Sequence, residues 1–511
     1  MKSIGQSLSE RIGRQARTRP ASAKKRRNAC LQVEPLEDRT VPTIVIKPYF
    51  GPETIAPGST NDGMQHPNVV YIFSGSYWTT AQGQQDETAL LNAAKAIMSG
   101  PYLSGLTQYG SDGKANFWTS WNDANTVPSP PSISDLLNFL DNSITSQGAV
   151  PGINDWQHAP IYVVVSDPVS SAGFNGGWNK QGIYMRLGWG LPQLPQAMHM
   201  IWVGTSTIAS TGRVWKDAFT LTLSHELAET ISDPDTNGIR VNPPSALPAS
   251  MVDGSQIADN EPEDSGQGYG YRLNGNLVQP YWSAQDQAFI VPDYNFQKFY
   301  LTPNWSGTTF RGTYNLSIKG DQLGVNYADN IEIGGNGSNV SVSQNNEAAL
   351  FDPGVINNVN VDTKGGANFV RVYSVPAGVT VNIDSTGASN DMVVIGSATD
   401  SLAGIQGTVN VSNSSGQTKL VVDDLNDHPR FVTITDHSVA FSGVPTINYQ
   451  GGFLLGTLHG VTELDVIDGT GANVVDVLSV PSLTSVILDA DTKDSIFGPA
   501  AGKVTVHKTH T

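Results

Sequence analysis

The feature that most constrains the fold of this chain is an internal repeat in its second half. Residues 366–376 (GANFVRVYSVP) recur as residues 471–481 (GANVVDVLSVP), at an offset of 105 residues and with 8 of 11 positions identical. The likeness continues downstream, because Val381 and Asp384 return as Val486 and Asp489. A sequence that repeats itself in this way is typical of architectures in which each unit packs on its neighbours.

Short alternating runs surround the repeat from about residue 295 onward. The run VNV at Val359 is followed by VNI at Val381 and by VNV at Val409, in steps of 22 and 28 residues. Units of this length, each a short strand and a polar turn, favour a parallel β-helix, which is a solenoid. A pair of β-sandwiches is the alternative, because strand spacing alone does not separate the two. We therefore predict an all-β domain over residues 296–511, suited to a scaffold or an adhesion module.

The first half of the chain mixes strand and helix patterns. Short apolar, β-branched runs predict buried strands at residues 69–73, 161–165 and 200–203. Apolar residues at helical spacing predict helices over residues 87–98, 133–144 and 214–232. Ser132 or Ser134 is the expected cap of the second helix, and Asp233-Pro234 ends the third. This pattern predicts an α/β or α+β domain over residues 43–295, so that the whole chain is multidomain.

Charge is distributed unevenly along the chain. Residues 1–29 contain nine Lys and Arg residues and one Glu, a net charge of +8, and since the whole chain carries −17, the remainder carries −25. An acidic body of that size repels phosphate, so no nucleic acid partner is expected for the folded part. The basic arm fits an export leader better than an RNA-binding tail. We predict such a leader over residues 1–42.

Composition also limits the metal sites and the membrane topology that are available. Cys30 is the single cysteine and lies in the basic arm, so any metal in the folded body must be held by His, Asp or Glu. No apolar run reaches the length of about 18 residues that a membrane-spanning helix needs. The sequence therefore predicts no transmembrane segment, and it also lacks the apolar region of an ordinary signal peptide.

The sequence SHELAE at residues 224–229 carries the strongest chemical signal. On a helix, His225 and Glu229 share one face, while Glu226 approaches the same space from the side. This spacing is a variant of the zincin motif His-Glu-x-x-His, in which the first and fifth residues bind zinc and the Glu is the base. We predict His225 and Glu229 as zinc ligands and Glu226 as the catalytic base. The alternative is a surface helix on which His225 and Glu229 merely face solvent.

A catalytic zinc site takes three protein ligands and keeps one open position. Asp259 is the first candidate for the third ligand, because it follows the helix at a separation typical of zincins. An Asx turn that opens the acidic loop 259–264 is the alternative role for this residue. His199 and His158 are the next candidates, although a lone histidine is more often a hydrogen-bonded structural residue.

The segment DPDTNG at residues 233–238 gives a weaker signal for calcium. Asp233, Asp235 and Asn237 place oxygen atoms on alternate residues, and Gly238 permits the sharp turn of a calcium loop. Pro244, however, occupies the twelfth position, where a bidentate Glu is required. The pattern therefore favours a helix-ending turn over a calcium site.

Two parts of the chain resemble known families. Residues 31–42 (LQVEPLEDRTVP) resemble the Leu-Glu-Asp-Arg segment that follows a basic leader in planctomycete cell-surface and secreted proteins. Residues 66–292 resemble the EXORDIUM-like, phosphate-induced protein family, through SHELAETISDP at 224–234, QIAD at 256–259 and QPYWS at 279–283. Further resemblance lies in the family's first strand, its Gln-Tyr block and its central strand, at residues 70–76, 108–110 and 161–165.

These resemblances imply a location and a fold. The leader implies secretion or attachment to the cell envelope, and the family implies an extracellular domain with a metallopeptidase-like fold. The chain departs from the family pattern at Gln256, where Glu is usual, and in lacking the family's cysteines and a His near residues 173–177.

The leading hypothesis is an exported, zinc-dependent hydrolase of the metallopeptidase type that acts on an extracellular peptide or a cell-envelope polymer. The alternative is a non-catalytic envelope, matrix or adhesion protein with a degenerate zincin-like domain.

Overall fold

The structure, a computed structural model, describes residues 43–510 apart from a set of gaps. The gaps are residues 148–158, 172, 174–175, 185–195, 235–237, 253, 261–270, 274, 294–297, 307–308, 336–338, 352–353, 388, 455–456, 482–484 and 502–503. The predicted leader at residues 1–42 lies outside the described residues, as do His158, Asp235 and Asn237.

The described chain is mostly β-structure. Its strands, in chain order, are β1 Thr43–Ile46, β2 Thr54–Ile55, β3 Asn68–Ser74, β4 Asn116–Asp123, β5 Ile161–Ser166, β6 Gly176–Tyr184, β7 Gln196–Gly204, β8 Val241–Asn242, β9 Tyr271–Leu273, β10 Asn276–Val278, β11 Tyr281–Ser283, β12 Ala288–Pro292, β13 Phe299–Ser306, β14 Thr309–Lys319, β15 Asn330–Gly335, β16 Val340–Gln344, β17 Glu347–Phe351, β18 Ile356–Asp362, β19 Phe369–Val372, β20 Thr380–Asp384, β21 Asn390–Ile395, β22 Thr408–Val411, β23 Gln417–Asp423, β24 Phe431–Ile434, β25 Ser438–Phe441, β26 Ile447–Tyr449, β27 Gly451–Leu454, β28 Thr457–Ile467, β29 Val474–Val477, β30 Ser485–Asp491, β31 Ser495–Phe497 and β32 Thr505–His510.

The α-helices all lie in the first half of the described chain. They are α1 Ala81–Ser99, α2 Ile133–Gln147 and α3 Lys216–Ser232, accompanied by 3-10 helices at Ser76–Thr79, Tyr102–Tyr109 and Ala249–Met251. The three predicted helices are confirmed, although α1 begins six residues earlier than its apolar pattern indicates. Thr80 explains that start, because its hydroxyl accepts the Gly83 N–H at 3.0 Å. Ser132 caps α2 through a reciprocal capping box with Asp135, at 3.2 and 2.9 Å.

A five-stranded sheet forms the centre of the first half, in the order β4–β3–β5–β7–β6. Neighbouring strands run parallel from β4 to β7, whereas the edge strand β6 is antiparallel to β7. Every residue of β5 is buried, as expected for a strand covered on both faces. Apolar residues of α1 and α3 pack on one face of the sheet and those of α2 on the other. The predicted strands lie within β3, β5 and β7 and are confirmed.

From β18 to β23 the chain alternates between two large sheets. β18, β20 and β22 stack in parallel in the first sheet, while β19, β21 and β23 stack in parallel in the second. Each coil thus gives one strand to each sheet, which is the connectivity of a parallel β-helix. The all-β prediction for the C-terminal region is confirmed.

The strand register explains the sequence spacing of the β-helix. Val359 lies beside Val381, and Val381 beside Val409, so the steps of 22 and 28 residues are successive coils. All three valines are fully buried, while their strand neighbours face outward. The two copies of the repeat lie in different sheets, since the first contains β19 of the second sheet and the second contains β29 of the first.

The first large sheet continues across the predicted domain boundary at residue 295. β1 pairs with β12 on one side and with β13 on the other, so strands from both halves share one hydrogen-bonded sheet. Residues Val41–Thr511 form one compact unit. A truncation near residue 295 would therefore divide this sheet.

In the described part of the chain, no helix combines the length and the apolar character needed to cross a membrane.

A ladder of asparagines runs along the outer face of the first large sheet. Asn382 donates to Asn360 at 2.9 Å, Asn410 donates to Asn382 at 2.7 Å, and Asn448 donates to Asn410 at 2.8 Å. Strands stacked in parallel bring identical residues side by side, so the amides of Asn382 and Asn410 each donate one bond and accept another. The ladder joins four coils from the outside, as the valines do from the inside.

We expect Asn382→Ala to lower the free energy of unfolding by about 1–2 kcal/mol, because it removes two ladder hydrogen bonds. Thr380→Ala is the matched control, since Thr380 lies on the same face of β20. Urea unfolding of both variants measures the difference. Equal losses in the two variants would contradict a stabilising ladder.

Candidate metal centre

The helix α3 carries the predicted site within a buried environment. Phe219, Leu223, Leu227 and Ile231 lie in the hydrophobic core, as their spacing predicts. α3 also packs against β6, β7 and β10, so that acidic residues on its other faces are covered as well. Glu226 is 5% exposed and Glu229 is 2% exposed. The helix is therefore not a surface helix whose Glu229 faces solvent.

Three predicted ligands converge beside α3. His225 Nε2 lies 3.2 Å from Glu229 Oε1 and 3.9 Å from Asp259 Oδ1. One ligand atom from each residue lies within 4.8 Å of the other two. The side chains of His225 and Asp259 are 16% and 15% exposed, so the cluster opens to solvent on one side. This opening is what access by a substrate or a water molecule requires.

Asp259 is held in place by a short loop that lies against β11. The backbone N–H of Trp282 donates to the Ile257 carbonyl at 2.7 Å, and this bond holds the loop against the strand. The Gln256 N–H donates to Asp259 Oδ2 at 2.8 Å. Gly254 permits this approach, because a Cβ there would lie 1.9 Å from Asp259 Oδ2. The bond to Gln256 turns Oδ1, the other carboxylate oxygen, toward His225.

Asn260 and Glu53 lie directly behind this loop. Asn260 adopts a positive φ of 58°, and its amide donates to the Gly254 carbonyl at 3.0 Å and to Glu53 Oε1 at 3.3 Å. Burial raises the pKa of Glu53 to about 8, and the nearby Asp259 carboxylate adds to the rise. Glu53 therefore extends the acidic surroundings of the cluster.

Asn179 links the two glutamates of the helix. This residue lies on the edge strand β6, and its amide nitrogen donates to Glu226 Oε2 at 2.9 Å and to Glu229 Oε2 at 2.7 Å. The sequence does not point to Asn179, because a single Asn on a strand of mixed character carries no motif. Only the pairing of β6 with β7 brings it over the helix.

The charge state of Glu226 reflects its surroundings. Burial raises the pKa of Glu226 to about 8, and the carboxylates of Glu229 and Asp259 add to the rise. His225 and the Asn179 amide act in the opposite direction. A group with this pKa exchanges a proton near neutral pH, which suits a general base or acid.

The cluster of one imidazole and two carboxylates is a donor set that zinc can bind. Two ligands about 2.1 Å from a tetrahedral zinc are about 3.4 Å apart, close to the separations of 3.2 and 3.9 Å here. Glu229 Oε1 is buried and makes no hydrogen bond to any described residue, so it is available as a ligand. An imidazole nitrogen in the set favours zinc over calcium or magnesium, which prefer oxygen.

The sequence blocks behind the family resemblance meet around α3. The Ser224 hydroxyl accepts the Gln279 N–H at 2.9 Å. The Tyr102 hydroxyl donates to the Gln279 carbonyl at 2.7 Å, and the Tyr109 hydroxyl donates to the Trp282 carbonyl at 2.8 Å. The first bond attaches the segment 279–283 to the helix that carries the cluster, and the other two attach the segment 102–109 to residues 279–283.

The other predicted metal-binding residues lie elsewhere. His199 is fully buried in β7 and is not a member of the cluster. Asp233 is the only one of the three predicted calcium ligands within the described residues. Its Oδ1 accepts the Gly238 N–H at 2.8 Å, and its Oδ2 pairs with Arg240 at 3.3 Å. These contacts are typical of the helix-ending turn that the sequence favours.

Comparison with known protein families, with characterised proteins and with solved structures gives no match for this chain. The EXORDIUM-like resemblance therefore stays a prediction.

The close approach of β6 to α3 yields a test of the site's architecture. A Cβ at Gly177 would lie 2.5 Å from the Trp202 carbonyl oxygen and 2.6 Å from Thr222 Cγ2, with Glu226 Oε1 at 3.2 Å. We expect Gly177→Ala to lower the free energy of unfolding by about 1–3 kcal/mol through overpacking. Thermal unfolding measures the change.

Gly334→Ala is the control for this substitution. It is also a strand glycine, but a Cβ there would lie an ordinary 3.6 Å from Tyr373. A Gly177→Ala variant as stable as this control would contradict the close contact between β6 and α3.

Proposed function

We propose that this protein is a zinc-dependent hydrolase of the metallopeptidase type, in which His225, Glu229 and Asp259 hold the metal. The observation that carries the proposal is their convergence, since one ligand atom from each lies within 4.8 Å of the others. His225 and Glu229 come from one helical turn, whereas Asp259 comes from a separate loop fastened to β11. Packing alone does not require ligand atoms from such distant parts of the chain to meet in one place.

Two further features support the proposal. The segments that carry the EXORDIUM-like resemblance at 224–234, 279–283 and Tyr109 contact one another beside α3, which is compatible with the metallopeptidase-like fold that the resemblance implies. The five-stranded sheet also places its antiparallel edge strand, β6, against α3, which is the helix that carries the SHELAE motif.

The residues around the cluster have distinct roles in this proposal. Zinc bound there would lower the pKa of a water molecule toward neutrality. Glu226 would then accept the proton of the attacking water and deliver it to the leaving group. Asn179 orients the carboxylates of Glu226 and Glu229 together, as a partner of both. This chemistry suits hydrolysis of an amide or an ester.

The proposed substrate is an extracellular peptide or a cell-envelope polymer. The basic leader and its LEDR segment favour export, and the absence of cysteine from the folded body leaves its stability to packing and hydrogen bonding. The β-helix would then hold the hydrolase domain at or near the cell surface.

A non-catalytic envelope or adhesion protein is the second candidate. The long β-helix favours it, because stacked coils of this kind are suited to a scaffold or a spacer. In that case the N-terminal domain would recognise a partner and the β-helix would act as a spacer.

We expect the full chain, purified without chelators, to contain about one zinc per molecule. Glu229→Gln should weaken zinc binding by at least about 10-fold, because it removes a charged ligand. Asp217→Asn is the matched control, since Asp217 lies on the same helix but pairs with Arg272 at 2.7 Å. Elemental analysis and competition with a chromogenic chelator measure both variants. A folded chain free of zinc would favour the second candidate.

Glu226→Gln should separate metal binding from chemistry. The amide keeps the size of the side chain but cannot accept the proton, so zinc content should stay unchanged. Hydrolysis should fall by about 10²–10⁴-fold. Assays on unstructured proteins and aryl esters, with the wild-type chain beside the variant, measure this loss. Equal rates in variant and wild type would remove Glu226 from the mechanism.

A further inference from the structure

A second group of acidic side chains lies far along the sequence, in the last coils of the β-helix. Asp468 directly follows β28, Asp491 ends β30, and Asp494 precedes β31. Asp468 is 1% exposed, and its two carboxylate oxygens are both buried. It faces the carboxylate of Asp494, with Asp491 nearby. The group therefore places like charges together in the interior.

The internal repeat gives a direct comparison for this group. In the first copy, Asp391 accepts hydrogen bonds from Thr363 at 2.7 Å, from Asn368 at 2.8 Å and from Ser389 at 2.9 Å. At the repeat offset of 105 residues, Thr363 corresponds to Asp468 and Asn368 corresponds to Asn473.

Asn473 donates to Asp494 at 3.1 Å, so Asp494 has the role of Asp391. The hydroxyl donor of the first copy is thus replaced by a second carboxylate in the later one.

Three carboxylate oxygens remain without donors as a result. Asp468 Oδ1, Asp468 Oδ2 and Asp494 Oδ2 are buried, and none is hydrogen-bonded to a described residue. The Asp491 backbone N–H lies near Asp468 and acts to lower the pKa of its carboxyl. The side chain of Asp491 already accepts bonds from Lys493 and Gly471 backbone N–H groups, at 3.1 and 3.2 Å.

Another acidic pair in the β-helix is neutralised by an arginine. Asp424 and Asp427 also lie side by side, but Arg430 pairs with them at 3.0 and 3.1 Å. No comparable Arg or Lys partner of Asp468 or Asp494 is present among the described residues. Buried carboxylates without donors or a cationic partner are costly, so this group needs a positive charge.

We propose that Asp468 and Asp494 bind a calcium ion that joins the last coils of the β-helix. The donors are carboxylate oxygens only, which favours a hard cation over zinc or copper. Calcium accepts irregular sets of oxygen ligands that include bidentate carboxylates, as the two bare oxygens of Asp468 permit. The site is independent of the cluster on α3.

The alternative is a proton shared by the two carboxylates. Burial raises the pKa of Asp468 to about 8, with Asp494 and Asp491 adding to the rise. Without a cation the pair would therefore hold a proton at neutral pH. Calcium and this proton compete for the same oxygens, so a binding experiment separates the two.

The test uses the full chain after removal of metals. Calorimetric titration with calcium chloride and the unfolding temperature with and without 100-fold excess calcium are measured on the wild type, on Asp468→Thr and on Asp494→Asn. We expect wild type to bind calcium and to gain at least about 2 °C in unfolding temperature. Both variants should lose the binding and the gain.

Asp468→Thr also tests the comparison between the repeats. It should be more stable than wild type without calcium, because Thr can donate to Asp494 as Thr363 does to Asp391. Asp436→Asn, which removes an exposed acid in the same region, should keep the calcium response. Glu229→Gln should also keep the calcium response, so the calcium experiment does not depend on whether the proposed zinc site exists.

Two outcomes would overturn the proposal. One is a wild-type chain whose calorimetry and unfolding temperature do not respond to calcium, in which case the pair holds a proton. The other is a response that Asp468→Thr and Asp494→Asn both retain, which would assign calcium to a different place.

Discussion

Burial of acidic side chains on α3 is the constraint on which the functional part of this structure depends. A carboxylate removed from water needs donors or a cation, and the cost of leaving it unsatisfied is comparable to the stability of a whole domain. Glu226 and Glu229 share the donors of Asn179, but Glu229 Oε1 and the Asp259 carboxylate face the His225 imidazole. The zinc ion proposed for this site would interact with all three groups at once.

The same principle applies in the β-helix, where repetition makes the comparison clear. Valines fill the interior by packing, and asparagines on the outer face hydrogen-bond to the equivalent asparagines of the next coil. Buried aspartates at the turns need other partners: hydroxyl and amide donors at Asp391, and Arg430 at Asp424. Among the described residues Asp468 has neither kind of partner, which distinguishes its coil from the others.

Much of this architecture is encoded locally and could be predicted. His225 and Glu229 are fixed relative to each other by one turn of helix, and the spacing of Val359, Val381 and Val409 gives the register of the coils directly. Asp259 followed from its distance along the chain and from the family pattern. Asn179 could not be predicted, because only the long-range pairing of β6 places it above α3. The continuity of the first large sheet through β12, β1 and β13 was equally hidden, since β1 precedes β12 by more than two hundred residues.

The central claim is that an imidazole and two carboxylates from α3 and the β11-linked loop surround one zinc ion. X-ray absorption at the zinc edge of the purified full chain tests it most directly. The account predicts a single site with one nitrogen ligand from imidazole and oxygen ligands for the rest, at about 2.0–2.2 Å. A spectrum with several imidazoles, or with water oxygens alone in octahedral geometry, would contradict it.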